Sequence, residues 1–174
     1  MTNELSEPIV NRVAQSGLVT FNLEEYYPRG ERVVYDLKNN LFQEMILRER
    51  EFRAFVKEHN WTQYQGKYVA LTCTADAIVP NWAYMLLATK LEPHARRVVF
   101  GTLDTLEAVL FQEALQQVDV SQFQDAKVVV KGCGNQSISP FAYTEITRLL
   151  RPVAASIMYG EPCSTVPLYK KPRN

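Results

Sequence analysis

The chain has 174 residues, a length that suits one domain or one domain with an extension, and it can bury roughly 70% of its unfolded surface without a disulfide or metal to help it fold. Hydrophobic residues make up 47% and charged residues 22%, which excludes disorder, collagen-like repeats and a disulfide-framework mini-protein. The 19 basic side chains balance 19 acidic ones, so no net positive field draws nucleic acid or anionic lipid to the surface.

The segment Met1-Thr2-Asn3-Glu4-Leu5-Ser6-Glu7 has neither the basic start nor the apolar core of a signal peptide. No apolar run approaches the ~18–20 residues of a membrane-spanning helix. A cytoplasmic protein without nucleic-acid or membrane partners is expected, and a homo-oligomer is compatible with the composition. No internal repeat, low-complexity tract or linker is evident.

Residues 1–66 differ in texture from the rest. Ile9 to Gln15 reads as a short helix ending at Gly17. Leu18–Leu23 and Arg32–Leu37 alternate roughly between apolar and polar residues and read as strands, with Pro28-Arg29-Gly30 between them. Leu41 to Asn60 reads as helical, in one or two pieces, because Phe42, Met45, Ile46, Phe52, Phe55 and Val56 recur at spacings of three and four.

The rest of the chain is more regular. Tyr68–Cys73 is a short continuous apolar run, as expected of a strand covered on both faces. A helix from Pro80 to Leu91 follows, then a strand at Arg97–Gly101 and a helix capped at Thr102 that runs to Gln117. A further strand spans Lys127–Gly132. The next helix has Ser139 as N-cap and Pro140 at its first position. Ser156–Gly160 reads as a last strand. This alternation predicts an α/β fold: a small, mostly parallel sheet of about four strands flanked by helices. Residues 67–170 would form the βαβαβαβ core of a single domain, and residues 1–66 an N-terminal α+β extension or edge layer.

Parallel α/β folds place their chemistry outside the carboxyl ends of the strands, where helix N-termini gather. Cys73 ends the first core strand, Cys133 follows the third in Gly132-Cys133-Gly134, and Cys163 follows the fourth in Glu161-Pro162-Cys163. Common doubly wound orders make those three strands neighbours. Three thiolates there would suit zinc, copper(I) or an iron–sulfur cluster, with one position left for Asp76, Glu161, water or a substrate. Burial in a strand explains Cys73 equally well, and no CxxC pair is present. Asp76 is also placed to cap the helix that begins near Pro80. His59 and His94 end helices, where surface or capping roles are expected.

Several stretches resemble one known family. They are Gln65–Ala70, Cys73–Trp82, Tyr84–Pro93, Val129–Cys133 and Gly160–Tyr169, within a resemblance from about Ile9 to Lys170. The chain resembles the bacterial family named domain of unknown function 2480. The resemblance implies no catalytic residue. Genes of this kind can lie near iron–sulfur assembly genes, so it implies iron–sulfur assembly proteins as partners.

Three functions follow as expectations. The first is a cytosolic metal- or iron–sulfur-binding protein with Cys73, Cys133 and Cys163 as ligands and Asp76 or Glu161 in support. The second is a metal-free thiol oxidoreductase or sulfur-transfer enzyme with Cys133 as nucleophile. The third is a non-catalytic interaction module whose cysteines are buried and inert.

Overall fold

A computed structural model describes residues 17–132, 134 and 136–172. The chain forms two compact units: an inserted unit, Pro28–Glu113, and a split unit made of Met1–Tyr27 and Ala114–Asn174. The expected helix at Ile9–Gln15 lies outside the described residues. No helix among the described residues is long and apolar enough to cross a membrane.

The inserted unit has a three-stranded parallel sheet, β2-β3-β4, built from β2 (Arg32–Asp36), β3 (Tyr68–Thr72) and β4 (Arg97–Phe100). All of β3 except Thr72 is buried, as its unbroken apolar run requires of a strand covered on both faces. The two-residue period of a strand splits its side chains. Val69 and Leu71 join Phe52 and Val56 of α1 (Glu49–Glu58) and Leu87 and Leu91 of α2 (Asn81–Leu91) in one core. Tyr68 and Ala70 join Leu106 and Leu110 of α3 (Leu103–Leu115) in another. Glu107 of α3 holds Arg32 of β2 by two hydrogen bonds of 2.6 and 3.3 Å. The last two residues of α3 belong to the split unit.

The split unit has a four-stranded sheet, β1-β5-β6-β7. β1 (Leu18–Asn22), β5 (Lys127–Lys131) and β6 (Ser156–Glu161) are parallel, and β7 (Ser164–Lys170) returns antiparallel to β6. Helix α4 (Pro140–Leu150) connects β5 to β6, and Ser139 caps it by accepting the Phe141 N–H. Gly160 has φ +121°, and a Cβ there would lie 2.5 Å from the Ser164 carbonyl oxygen, so the β6–β7 hairpin requires glycine.

The two units are versions of one pattern. Residues 60–101 align without a gap onto 119–160, with Gln63/Gln122, Gln65/Gln124, Ala83/Ala142, Tyr84/Tyr143, Pro93/Pro152 and Gly101/Gly160 among the identities. Backbone details repeat with them. Asn60 and Asp119 each cap a 3-10 turn, Trp61–Tyr64 and Val120–Phe123. Gly66 and Asp125 have φ of 70° and 54°. Their N–H groups donate to the carbonyls of His94 and Val153, both at 2.9 Å. The first strands match as well. Asp36 and Asn22 end β2 and β1 and cap the 3-10 turns Leu37–Asn40 and Leu23–Tyr26. Leu18 pairs with Lys127 as Arg32 pairs with Tyr68. The repeat escaped the sequence reading because its identities are sparse and one copy is inserted between the first and second strands of the other.

The α/β class and the mostly parallel sheet agree with expectation. The strand partners do not: the four core strands are divided between two sheets, β3 pairing with β2 and β4, and β5 with β1 and β6. Strand β7 follows the strand expected to be the last. The predicted helix at Leu41–Asn60 begins only at Glu49. Before it, Gln43 and Glu44 have φ of 52° and 59° and Phe42 bridges back to Ile46, so that apolar triplet belongs to a turn.

Candidate functional site

The described cysteines do not belong to a metal-holding group. Cys73 follows β3 in the inserted unit; it is half-buried, and its thiol donates to the Ala75 carbonyl at 3.9 Å. Cys163 is exposed in the turn between β6 and β7 of the split unit. Cys133 lies outside the described residues. Asp76 is exposed, and the N-cap of α2 is Pro80, so Asp76 does not cap that helix. Glu161 pairs with Lys131 at 3.6 Å. Among the described residues, no group of three or more His, Cys, Asp or Glu is arranged to hold a metal ion. That finding overturns the metal- or iron–sulfur-binding reading. The sulfur-chemistry reading placed its nucleophile at Cys133, outside the described residues. Of the interaction-module reading, the burial of the cysteines does not hold at Cys163, which is exposed. The physical cause is the division of the sheet: strand ends that would be neighbours in one sheet belong to two.

A different arrangement stands at the carboxyl end of β2. Val34, Tyr35 and Asp36 end that strand, and Asn39 and Asn40 follow in the 3-10 turn. With Phe55 and His59 from the end of α1, and Tyr64 from the next turn, they line a cleft of about 200 Å³. Trp61 supports it from below, stacked on Tyr35 at 6.0 Å and edge-on to His59 at 4.5 Å. The indole N–H donates to the Val56 carbonyl at 2.9 Å, which fixes the ring.

The cleft's ring groups are neutral near pH 7. Burial, then the neighbouring Tyr64, pushes the Tyr35 phenol far above its ordinary pKa, and Tyr35 Oη donates to Asn40 Oδ1 at 2.8 Å. Burial likewise raises Tyr64 and lowers His59. Gln63 Nε2 donates to His59 Nε2 at 2.9 Å, so the neutral imidazole carries its proton on Nδ1. Asp36 is the one acidic group of the lining. It accepts from the N–H groups of Lys38 and Thr74 at 2.9 and 3.1 Å and from Thr74 Oγ1.

Burial alone would raise the Asp36 pKa. The hydrogen bonds from Thr74 and Lys38 outweigh it and hold the carboxyl below its ordinary value. A depressed folded pKa stabilises the protein above the unfolded value of about 3.9, and that stability is lost as pH falls through the folded value. Asp36→Asn is therefore expected to flatten the decline of unfolding free energy below about pH 5. Urea denaturation at a series of acid pH values measures this; an unchanged slope contradicts it.

The repeat supplies a reference for the cleft. In the split unit the positions of Tyr35, Asn40 and Tyr64 hold Phe21, Tyr26 and Phe123. Tyr26 stacks flat on Phe21, with centroids 4.7 Å apart and planes 6° apart, and Phe123 packs on Phe21 at 5.6 Å. Where one copy places a stacked ring, the other has an asparagine amide facing two phenols. Sequence reading passed over Tyr35, Asn40 and Tyr64 and treated His59 only as a helix end. Alignment of the two copies is the signal that would have found them.

The model of a family described as protein of unknown function (DUF2480) matches residues 7–171. No curated protein and no solved structure matches the chain.

Proposed function

We propose, for a chain that belongs to the DUF2480 family, that the inserted unit binds a small, uncharged, planar ring in the cleft of Tyr35, Asn40, His59 and Tyr64, and that the split unit carries the closed version of the same pattern. The observation behind this is the exchange of a stacked tyrosine for Asn40 at one position of a duplicated scaffold. A structural duplicate has no need of an open, polar-edged cleft where its twin packs a ring.

The chemistry of the lining sets the ligand class. Aromatic faces favour a flat π-system. The Asn39 and Asn40 amides, the two phenols and the His59 Nδ1–H offer donors and acceptors for its polar edge. An anion would meet the Asp36 carboxylate, the one acidic group of the lining, and no Lys or Arg of the lining to offset it. The volume of about 200 Å³ suits one ring; an apolar cavity of roughly 150 Å³ is enough for benzene.

Titration with pyrimidine bases, nicotinamide and phenol tests the proposal, read by Trp61 fluorescence and by the NMR resonances of His59, Tyr35 and Tyr64. At least one ring is expected to bind with Kd below about 1 mM, or about −4 kcal/mol. No saturable shift of those resonances up to about 10 mM overturns it.

A further inference from the structure

Both units carry an apolar pocket between the crossover helix and the sheet, and its walls correspond. Val130, Tyr143, Thr147 and Tyr159 line it in the split unit. Leu71, Tyr84, Ala88 and Phe100 stand at the same repeat positions in the inserted unit, joined there by Met85 and Glu92. The aromatic pair is kept: Tyr143 meets Tyr159 edge-on at 5.8 Å, and Tyr84 meets Phe100 edge-on at 5.0 Å.

The copies part at one glycine. After Gly160 the split unit turns back as β7, which pairs along β6 and delivers Leu168 as the remaining wall of its pocket. After Gly101, the equivalent residue with φ +139°, the inserted unit enters α3. Its β4 stays the edge of a three-stranded sheet. Phe100 is 64% and Met85 67% exposed at the pocket mouth.

We propose that β4 receives an extended segment of a partner protein as an added antiparallel strand, in the place that β7 takes on β6, with an aliphatic side chain seated in the pocket as Leu168 is. Strand addition of this kind takes affinity from main-chain hydrogen bonds and selectivity from pockets for alternate side chains. Charge defines the next residue of the partner. In the split unit the Arg151 guanidinium lies 3.9 Å from the Tyr169 ring centroid. The equivalent of Arg151 is Glu92, so the inserted unit selects Lys or Arg where β7 has Tyr169.

The chain's own β7 supplies the probe: a labelled peptide of sequence Ser164–Lys170 and its Tyr169→Lys and Leu168→Asp versions, titrated into the full chain. The Tyr169→Lys peptide is expected to bind at least about tenfold more tightly than either other, a 1.4 kcal/mol difference, and to slow amide exchange in β4. Glu92→Arg should invert the preference between Tyr and Lys peptides, and Phe100→Asp should weaken binding about tenfold or more. Both sites are exposed, and circular dichroism checks that each variant folds. Equal binding by all three peptides, or no protection of β4 amides, overturns the proposal. Concentration-dependent dimerisation abolished by Phe100→Asp overturns it too, by assigning the edge to a second copy.

Discussion

Asn40→Tyr is expected to weaken ring binding by the inserted unit about a hundredfold or more, about 2.8 kcal/mol at 1.4 kcal/mol per decade, while the protein stays folded. Position 40 closes its 3-10 turn as Tyr26 closes the equivalent one, and the strands before them share a register. A tyrosine there therefore has a native precedent for its backbone and its place: flat on the ring at position 35, as Tyr26 lies on Phe21. The side chain would occupy the volume proposed for the ligand. The variant also removes the acceptor of the Tyr35 hydroxyl, at a cost of roughly 1–3 kcal/mol if that group stays buried and unpaired. New stacking contact offsets part of this, at ~0.5–1.5 kcal/mol for an aromatic pair. Titration with the ring that binds the parent protein measures the loss. Binding within about threefold of the parent would show that the ligand sits elsewhere.

Trp61→Ala is expected to cost about 3–5 kcal/mol, the range for truncating a buried aromatic side chain. Trp61 is buried among Tyr35, His59 and Tyr64, and its N–H serves the Val56 carbonyl near the end of α1. Truncation removes the floor of the cleft and that hydrogen bond together. Val120 holds the equivalent place in the split unit, so Trp61→Val should cost less than Trp61→Ala while still loosening the cleft. Native-state amide exchange at β3, the central strand of this sheet, reports the change directly. A cost below about 1 kcal/mol would mean that Tyr35 and Tyr64 are held by other contacts.

Much of the local structure was legible in the residues. The apolar run Tyr68–Cys73 declared a buried strand and Lys127–Gly132 a further strand, and Ser139-Pro140 declared the start of α4. Helix α2 ends at Leu91, shortly before Pro93, as expected. Phe42, Met45 and Ile46 misled because apolar spacing alone does not distinguish a helical face from a tight turn, and the left-handed conformations of Gln43 and Glu44 decided for the turn. The candidate site was not legible. Its residues come from β2, α1 and two 3-10 turns, and no single motif joins them.

The amino-acid sequence by itself determined which segments are strands, which are helices and which side chains must be covered, because those follow from steric preference, capping and hydrophobic period, all local in the chain. It also held the repeat. Only the tertiary structure decided that β1 pairs with β5, with the whole inserted unit between them in the chain, and that Cys73 and Cys163 fall in different units. Periodicity tells a strand which face to bury and says nothing about which strand lies beside it. The partner of a parallel strand is chosen by packing between residues far apart in the chain.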